Sequence, residues 1–112
     1  MIIDASGHNV AIDEEGYLVE PGRWDEAVAE QLARREQVEL DDERWQIVRF
    51  MRRYFEEHQV APDARFVIRF LADELGHGRK AHNYLFKLFP YGYVKQACKI
   101  AGMMRPRAWS TG

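Results

Sequence analysis

The spacing of apolar and polar positions divides the chain into a short β segment followed by a run of helices. In HNVAIDEEGYL, residues 8–18, Val10 and Ile12 alternate with polar neighbours. Asp13–Gly16 supply turn chemistry and Tyr17-Leu18 resume the apolar pattern, which predicts a hairpin there. Pro21-Gly22 then breaks the chain. Trp24, Val28 and Leu32 recur every four residues and predict a helix from about Trp24 to Arg35. The polar stretch Glu36–Glu39 separates it from a second helix with a clear start. Asp41 is a good N-cap, Leu40 and Trp45 suit a hydrophobic staple, and Asp42 and Glu43 sit at the positive end of the helix dipole. Its buried stripe runs Trp45, Val48, Met51 or Arg52, and Phe55, and it fades near His58. Pro62 and Asp63 restart a helix whose inner face is Ala64, Val67, Ile68, Leu71 and Leu75, closed by Gly76 and Gly78. A short helix over Arg79–Leu88 turns Leu85 and Phe89 inward. After Pro90 and Gly92, a last helix is predicted over about Tyr93–Ala101. From Gly102 to Gly112 no apolar period remains, so residues 102–112 are expected to form a mobile arm. The fold class is mostly α (α+β): a single domain over 1–112, about five helices in a small bundle with an N-terminal β-hairpin.

Composition narrows the function classes. With 46% apolar and 12% aromatic residues the chain can bury a core, and no stretch approaches the roughly 18 apolar residues of a membrane span. The N-terminus MIIDASGHNV lacks the basic start and apolar block of a secretory signal. One cysteine, Cys98, excludes an internal disulfide. The expectation is a reduced, soluble, cytoplasmic domain. The net charge of −2 conceals a separation: residues 1–60 hold 15 acidic and 7 basic side chains, residues 61–112 hold 3 and 9. No acidic residue follows Glu74. A basic C-terminal third suits an anionic partner, whether nucleic acid, an acidic protein face, or an oxyanion or sulfur anion, and equally suits the acidic N-terminal half of the same chain.

Cys98 is the one strong nucleophile. Lys95 lies a turn before it and Lys99 beside it, and nearby ammonium groups favour the thiolate. Its place on the apolar stripe favours instead an inert core thiol. His8, His58, His77 and His82 show no same-face zinc spacing, so neither a metal nor a cofactor is expected. Asp13-Glu14-Glu15 reads as a solvated turn rather than a calcium loop. FLADELGHGRKAHNYLFKL is comparable to a helix-turn-helix, with Ala72 and Gly76 as the small residue and turn glycine. Arg79 and Lys80 would then open the second helix as nucleic-acid contacts, although His82 stands where an apolar residue would pack. The aromatic run Phe86, Phe89, Tyr91 and Tyr93 either stacks bases or locks the turn between two helices.

The run LFPYGYVKQACKIAG, residues 88–102, resembles the signature of the DsrC/TusE family of sulfur-relay proteins. DEEGYL at 13–18, Trp24, ERW at 43–45, Ala61-Pro62 and NYL at 83–85 agree with it in order. The resemblance implies a helical bundle with a hairpin and a flexible C-terminal arm, and a part in carrying or presenting sulfur. The settings are sulfite-reducing and sulfur-oxidising pathways or the thiolation of tRNA. Carriers of this kind hold a persulfide on a cysteine next to last in the arm, and DsrC-type members have a second in the last helix. Cys98 matches the helix cysteine, while eleven residues further on stands Trp109, within RPRAWSTG. Cysteine-poor members are grouped as regulatory sulfur-related proteins, which this chain resembles while keeping Cys98.

Three expectations follow. The leading one is a docking or regulatory member of a sulfur-trafficking pathway without full carrier chemistry. Its partners are sulfur-trafficking or sulfite-reductase-type proteins, met by Lys87, Lys95, Lys99, Arg105 and Arg107. The second is a single-cysteine sulfurtransferase holding a persulfide on Cys98. The third is a DNA-binding regulator acting through Arg79 and Lys80.

Overall fold

The computed structural model describes residues 1–5 and 7–103, with all their side chains except those of His8, Val94 and Lys95. The chain opens with an antiparallel hairpin of β1 (Ile2–Ala5) and β2 (His8–Ala11), in the register Ile2↔Ala11 to Ala5↔His8. Gly7, at φ +87°, takes the left-handed conformation that the tight reversal needs. Ile3, Ala5 and Val10 point into the core, as the two-residue period of a strand requires. The hairpin predicted within residues 8–18 is therefore displaced. Its first strand is the terminal IIDA run, and residues 12–18 form a loop closed by one antiparallel bridge, Ile12↔Leu18. Asp13 holds that loop, its Oδ1 accepting from Glu15 N and Tyr17 N at 2.9 Å each.

After a 3-10 turn at Pro21–Arg23, α1 spans Glu26–Arg35. Asp25 caps it by accepting from Val28 N, which moves Trp24 out of the helix. The second helix, α2, spans Asp42–His58, with Asp41 accepting from Arg44 N as the sequence predicts. It ends where Gln59 turns left-handed, φ +61°. Next, α3 (Ala64–Asp73) is capped by Asp63, and α4 (Ala81–Leu88) follows a 3-10 turn at Gly78–Lys80. The last helix, α5 (Tyr93–Cys98), is π-wound, a rare geometry that is frequent at functional sites. The five predicted helices and the N-terminal hairpin are all present, with shifted ends.

The core joins Val28 and Leu32 of α1, Ile47, Val48 and Met51 of α2, Val67 and Leu71 of α3, and Leu85 of α4 around α5. Ala97, Cys98, Ile100 and Ala101 are all completely buried. The C-terminal segment therefore contributes buried residues to the same core as the other elements, and burying them stabilises the fold through the hydrophobic effect. Gly102 and Met103, assigned to the arm from the sequence, are also buried and belong to this core. Residues 104–112 lie outside the described residues.

Candidate functional site: a buried thiol in a clamped terminal helix

The resemblance places the candidate chemistry on Cys98, and the structure shows what holds it there. Gly92, at φ +107°, starts α5 after the Pro90 break. Three polar ties fix the helix along its length. Tyr93 donates its hydroxyl to Pro62 O at 2.6 Å, Gln96 Nε2 donates to Glu36 O at 3.3 Å, and Lys99 Nζ donates to Glu36 Oε2 at 3.0 Å. Lys99 also sits over the Tyr17 ring, 5.1 Å from its centroid. The last carbonyls of the segment, which a helix leaves unsatisfied, are taken by two side chains from elsewhere. Trp24 Nε1 donates to Ile100 O at 2.9 Å, and Arg52 Nη1 donates to Ala101 O at 3.2 Å.

Arg52 is buried, and its other amino group donates to Pro21 O at 3.2 Å while pairing with Glu56 at 3.6 Å. Its guanidinium lies over Trp24 at 4.8 Å and Phe55 at 5.1 Å. Burial pulls its pKa below the ordinary value and Glu56 opposes that shift. The charge nevertheless stays, because an arginine so placed at the negative end of a helix is favoured by the dipole. Gly102, φ +74°, packs flat on Trp24, where an added Cβ would lie 2.3 Å from the indole Cδ1. Trp24, Arg52 and Gly102 form a clamp that fixes the point at which the chain leaves α5.

Cys98 itself is completely buried. Burial pushes its thiol up to about 12, partly offset by a hydrogen bond with Tyr93. The same burial, with Cys98 beside it, raises the Tyr93 hydroxyl far above its ordinary value. The raised pKa of Cys98 makes the thiolate, which is the nucleophilic form, a minor species at neutral pH. Complete burial and a raised pKa both favour the protonated thiol over the thiolate.

The lysines read as thiolate stabilisers and docking charges separate. Lys99, expected as a docking charge, is buried and paired with Glu36 at 3.0 Å. A glutamate 63 positions away in sequence captures it, which local charge pattern cannot reveal. Lys87 is exposed on α4. The side chain of Lys95, and Arg105, Arg107 and Trp109, lie outside the description. Arg79 and Lys80 are exposed, but residues 74–80 separate α3 from α4, longer than the 3–4-residue turn of a compact helix-turn-helix. The aromatic run divides too, with Phe89 and Tyr93 locking the core while Phe86 and Tyr91 are exposed.

One polar cluster had no signal in the sequence. Glu43 accepts from the Tyr84 hydroxyl at 2.6 Å and pairs with His77, whose ring stacks on Tyr84 at 4.1 Å. The Tyr84 hydrogen bond, helped by His77, holds the Glu43 carboxyl below its usual range against the opposing effect of burial. The same bond raises the Tyr84 hydroxyl. This cluster ties the start of α2 to the α3–α4 turn and to α4.

Comparison with known proteins places this arrangement. Residues 4–108 match the family model described as DsrC like protein. The chain is 37% identical over 105 residues to the sulfurtransferase TusE of Pectobacterium atrosepticum, covering 94% of this chain and 96% of that one. Its fold superimposes on the oxidised γ-subunit of the dissimilatory sulfite reductase, DsrC, from Archaeoglobus fulgidus, with TM-score 0.87 and 34% identity over 98% of this chain and all of that one. It is equally similar to Allochromatium vinosum DsrC, with TM-score 0.84 and 40% identity over the same shares.

Proposed function

The chain belongs to the DsrC-like protein family, and on that premise we propose that it docks on sulfur-trafficking or sulfite-reductase-type proteins as a binding or regulatory member of a sulfur relay. In this reading it does not carry sulfur on Cys98. The observation that supports the reading is the setting of that thiol: completely buried, with burial raising its pKa, in a segment tied down by Tyr93, Gln96, Lys99, Trp24 and Arg52. Acceptance of sulfur by Cys98 requires a thiolate in reach of a persulfide donor, and complete burial with a raised pKa supports the reading that Cys98 does not serve this role. The clamp fixes where the chain emerges after Met103, so whatever follows is delivered from a constant origin. Docking charge then comes from Lys87 on α4 together with Lys95, Arg105 and Arg107.

The test is exposure of the native chain to inorganic polysulfide, followed by intact mass. The reading predicts no adduct on the folded protein and a gain of about 32 Da per added sulfur only once denaturant exposes Cys98. A reducible adduct formed stoichiometrically on the folded chain would replace this reading with the single-cysteine carrier. A companion measurement follows binding to a sulfur-relay partner: it should weaken with salt and survive Cys98→Ser.

A further inference from the structure

The outer seam between α2 and α3 is built unlike the rest of the surface. Phe50 stacks on Phe70 with centroids 4.5 Å apart and an interplanar angle of 18°, and Tyr54 stacks on Phe66 at 5.6 Å and 28°. The pairs are spaced i, i+4 on both helices and run in opposite senses, so the four rings form a two-rung antiparallel ladder. All four are partly exposed. They line a cleft of about 330 Å³ with Arg69, Asp73 and Glu74, and a second of about 300 Å³ adjoins it past Phe70 and Arg53.

Arginines flank the ladder with the same spacing, Arg49 and Arg53 on α2, Arg65 and Arg69 on α3, all exposed. Arg49 reaches Glu26 at 3.2 Å and Arg65 reaches Asp63 at 3.4 Å, both solvent-exposed pairs that hold little energy. Arg53 and Arg69 have no ion pair among the described residues. Exposed aromatics beside arginines are the composition of an interface core.

We propose that this seam is a docking site for an acidic amphipathic helix of a partner protein. Apolar side chains at i and i+4 would enter the two clefts, and flanking carboxylates would meet Arg53 and Arg69. Asp73 and Glu74 at one end set the direction, since a carboxylate is repelled there and an amino-terminal or lysine end is accepted. A nucleic acid fits less well. Base stacking needs open ring faces, and each of these rings already spends one face on its partner. The seam uses no residue of the α5 clamp, so its failure would leave the sulfur-relay reading standing.

The test uses the full chain and a fluorescein-labelled synthetic helix with leucines at i and i+4 and glutamates on the flanking positions. The controls are the same peptide with lysines for glutamates, and oligo-dT. The glutamate peptide is expected to bind, to shift the amide resonances of Phe50, Tyr54, Phe66 and Phe70, and to lose about tenfold or more in affinity against R53E/R69E. Both substituted positions are exposed, and an unchanged unfolding midpoint would show that the variant is folded. The proposal is overturned by absence of binding, by equal binding of the lysine peptide, by indifference to R53E/R69E, or by preference for oligo-dT.

Discussion

Replacing Gly102 by alanine puts a methyl group into the face of Trp24. The new Cβ would stand 2.3 Å from the indole Cδ1, 2.8 Å from Cγ and 2.9 Å from the Trp24 Cβ, on a backbone at φ +74°. Holding a non-glycine residue there costs about 1–2 kcal/mol. The indole must also move, and its movement costs the Trp24–Ile100 hydrogen bond, about 1 kcal/mol. The stacking of Arg52 on the same ring goes with it, at about 1 kcal/mol. The expected loss is about 3 kcal/mol, a large share of the stability of a domain this size. In urea, followed by circular dichroism, the midpoint should fall by roughly 2 M at an m-value of about 1.5 kcal/mol/M. Gly22→Ala is the control: nothing lies within 4 Å of its added Cβ. A loss below about 1 kcal/mol for Gly102→Ala, or equal losses for the two variants, would refute the idea that Trp24 and Gly102 lock the end of α5.

Other consequences are equally direct. Lys99→Met strands the Glu36 carboxylate, mostly buried at 20% side-chain exposure, and should cost about 2 kcal/mol in denaturant unfolding, with part recovered in the Glu36→Gln double variant. Burial pushes the Cys98 thiol up to about 12 when folded, above the range of an exposed thiol, so the unfolded chain loses the proton first. Stability should then fall as pH rises above 9, by up to about 1.4 kcal/mol per unit, and Cys98→Ala should flatten the slope between pH 9 and 10, before Tyr93 contributes to it. Tyr84→Phe removes a hydrogen bond to a carboxylate whose folded pKa is depressed. It should cost about 1.5 kcal/mol at pH 7, and the difference from wild type should vanish as pH falls through and below the glutamate range, measured by unfolding at pH 7 and pH 3.

The helices were legible because their signals are local. Asp41 and Asp63 accept from the amides of their own first turns, and Val48, Val67 and Leu71 recur at helical spacing and are buried. The hairpin was placed too late because Ile2–Ala5 is a four-residue run whose partner is decided by burial of Ile3 and Ala5. Cys98 was legible as a core residue from its stripe, but its surroundings were not. Trp24 meets Ile100 across 76 positions, Lys99 meets Glu36 across 63, and Glu43 meets Tyr84 across 41. No periodicity encodes such contacts. For the same reason Lys99 read as a free charge, when the long-range fold had already neutralised it. The clamp is a property of the assembled bundle, visible in the chain only as an isolated tryptophan, an arginine on an apolar stripe and a glycine after the last helix.

Because Cys98 is the sole cysteine, its Cβ resonance reports the protonation of one sulfur without ambiguity. A ¹³C titration of the folded protein is therefore the most direct measurement of whether this scaffold has sealed its thiol. The shift of a protonated thiol should persist unchanged through pH 10, with the change toward thiolate beginning only as pH nears 12. A midpoint at or below pH 9 in the folded chain would mean that the thiol is not sealed, and would contradict the reading in which Cys98 only packs the core.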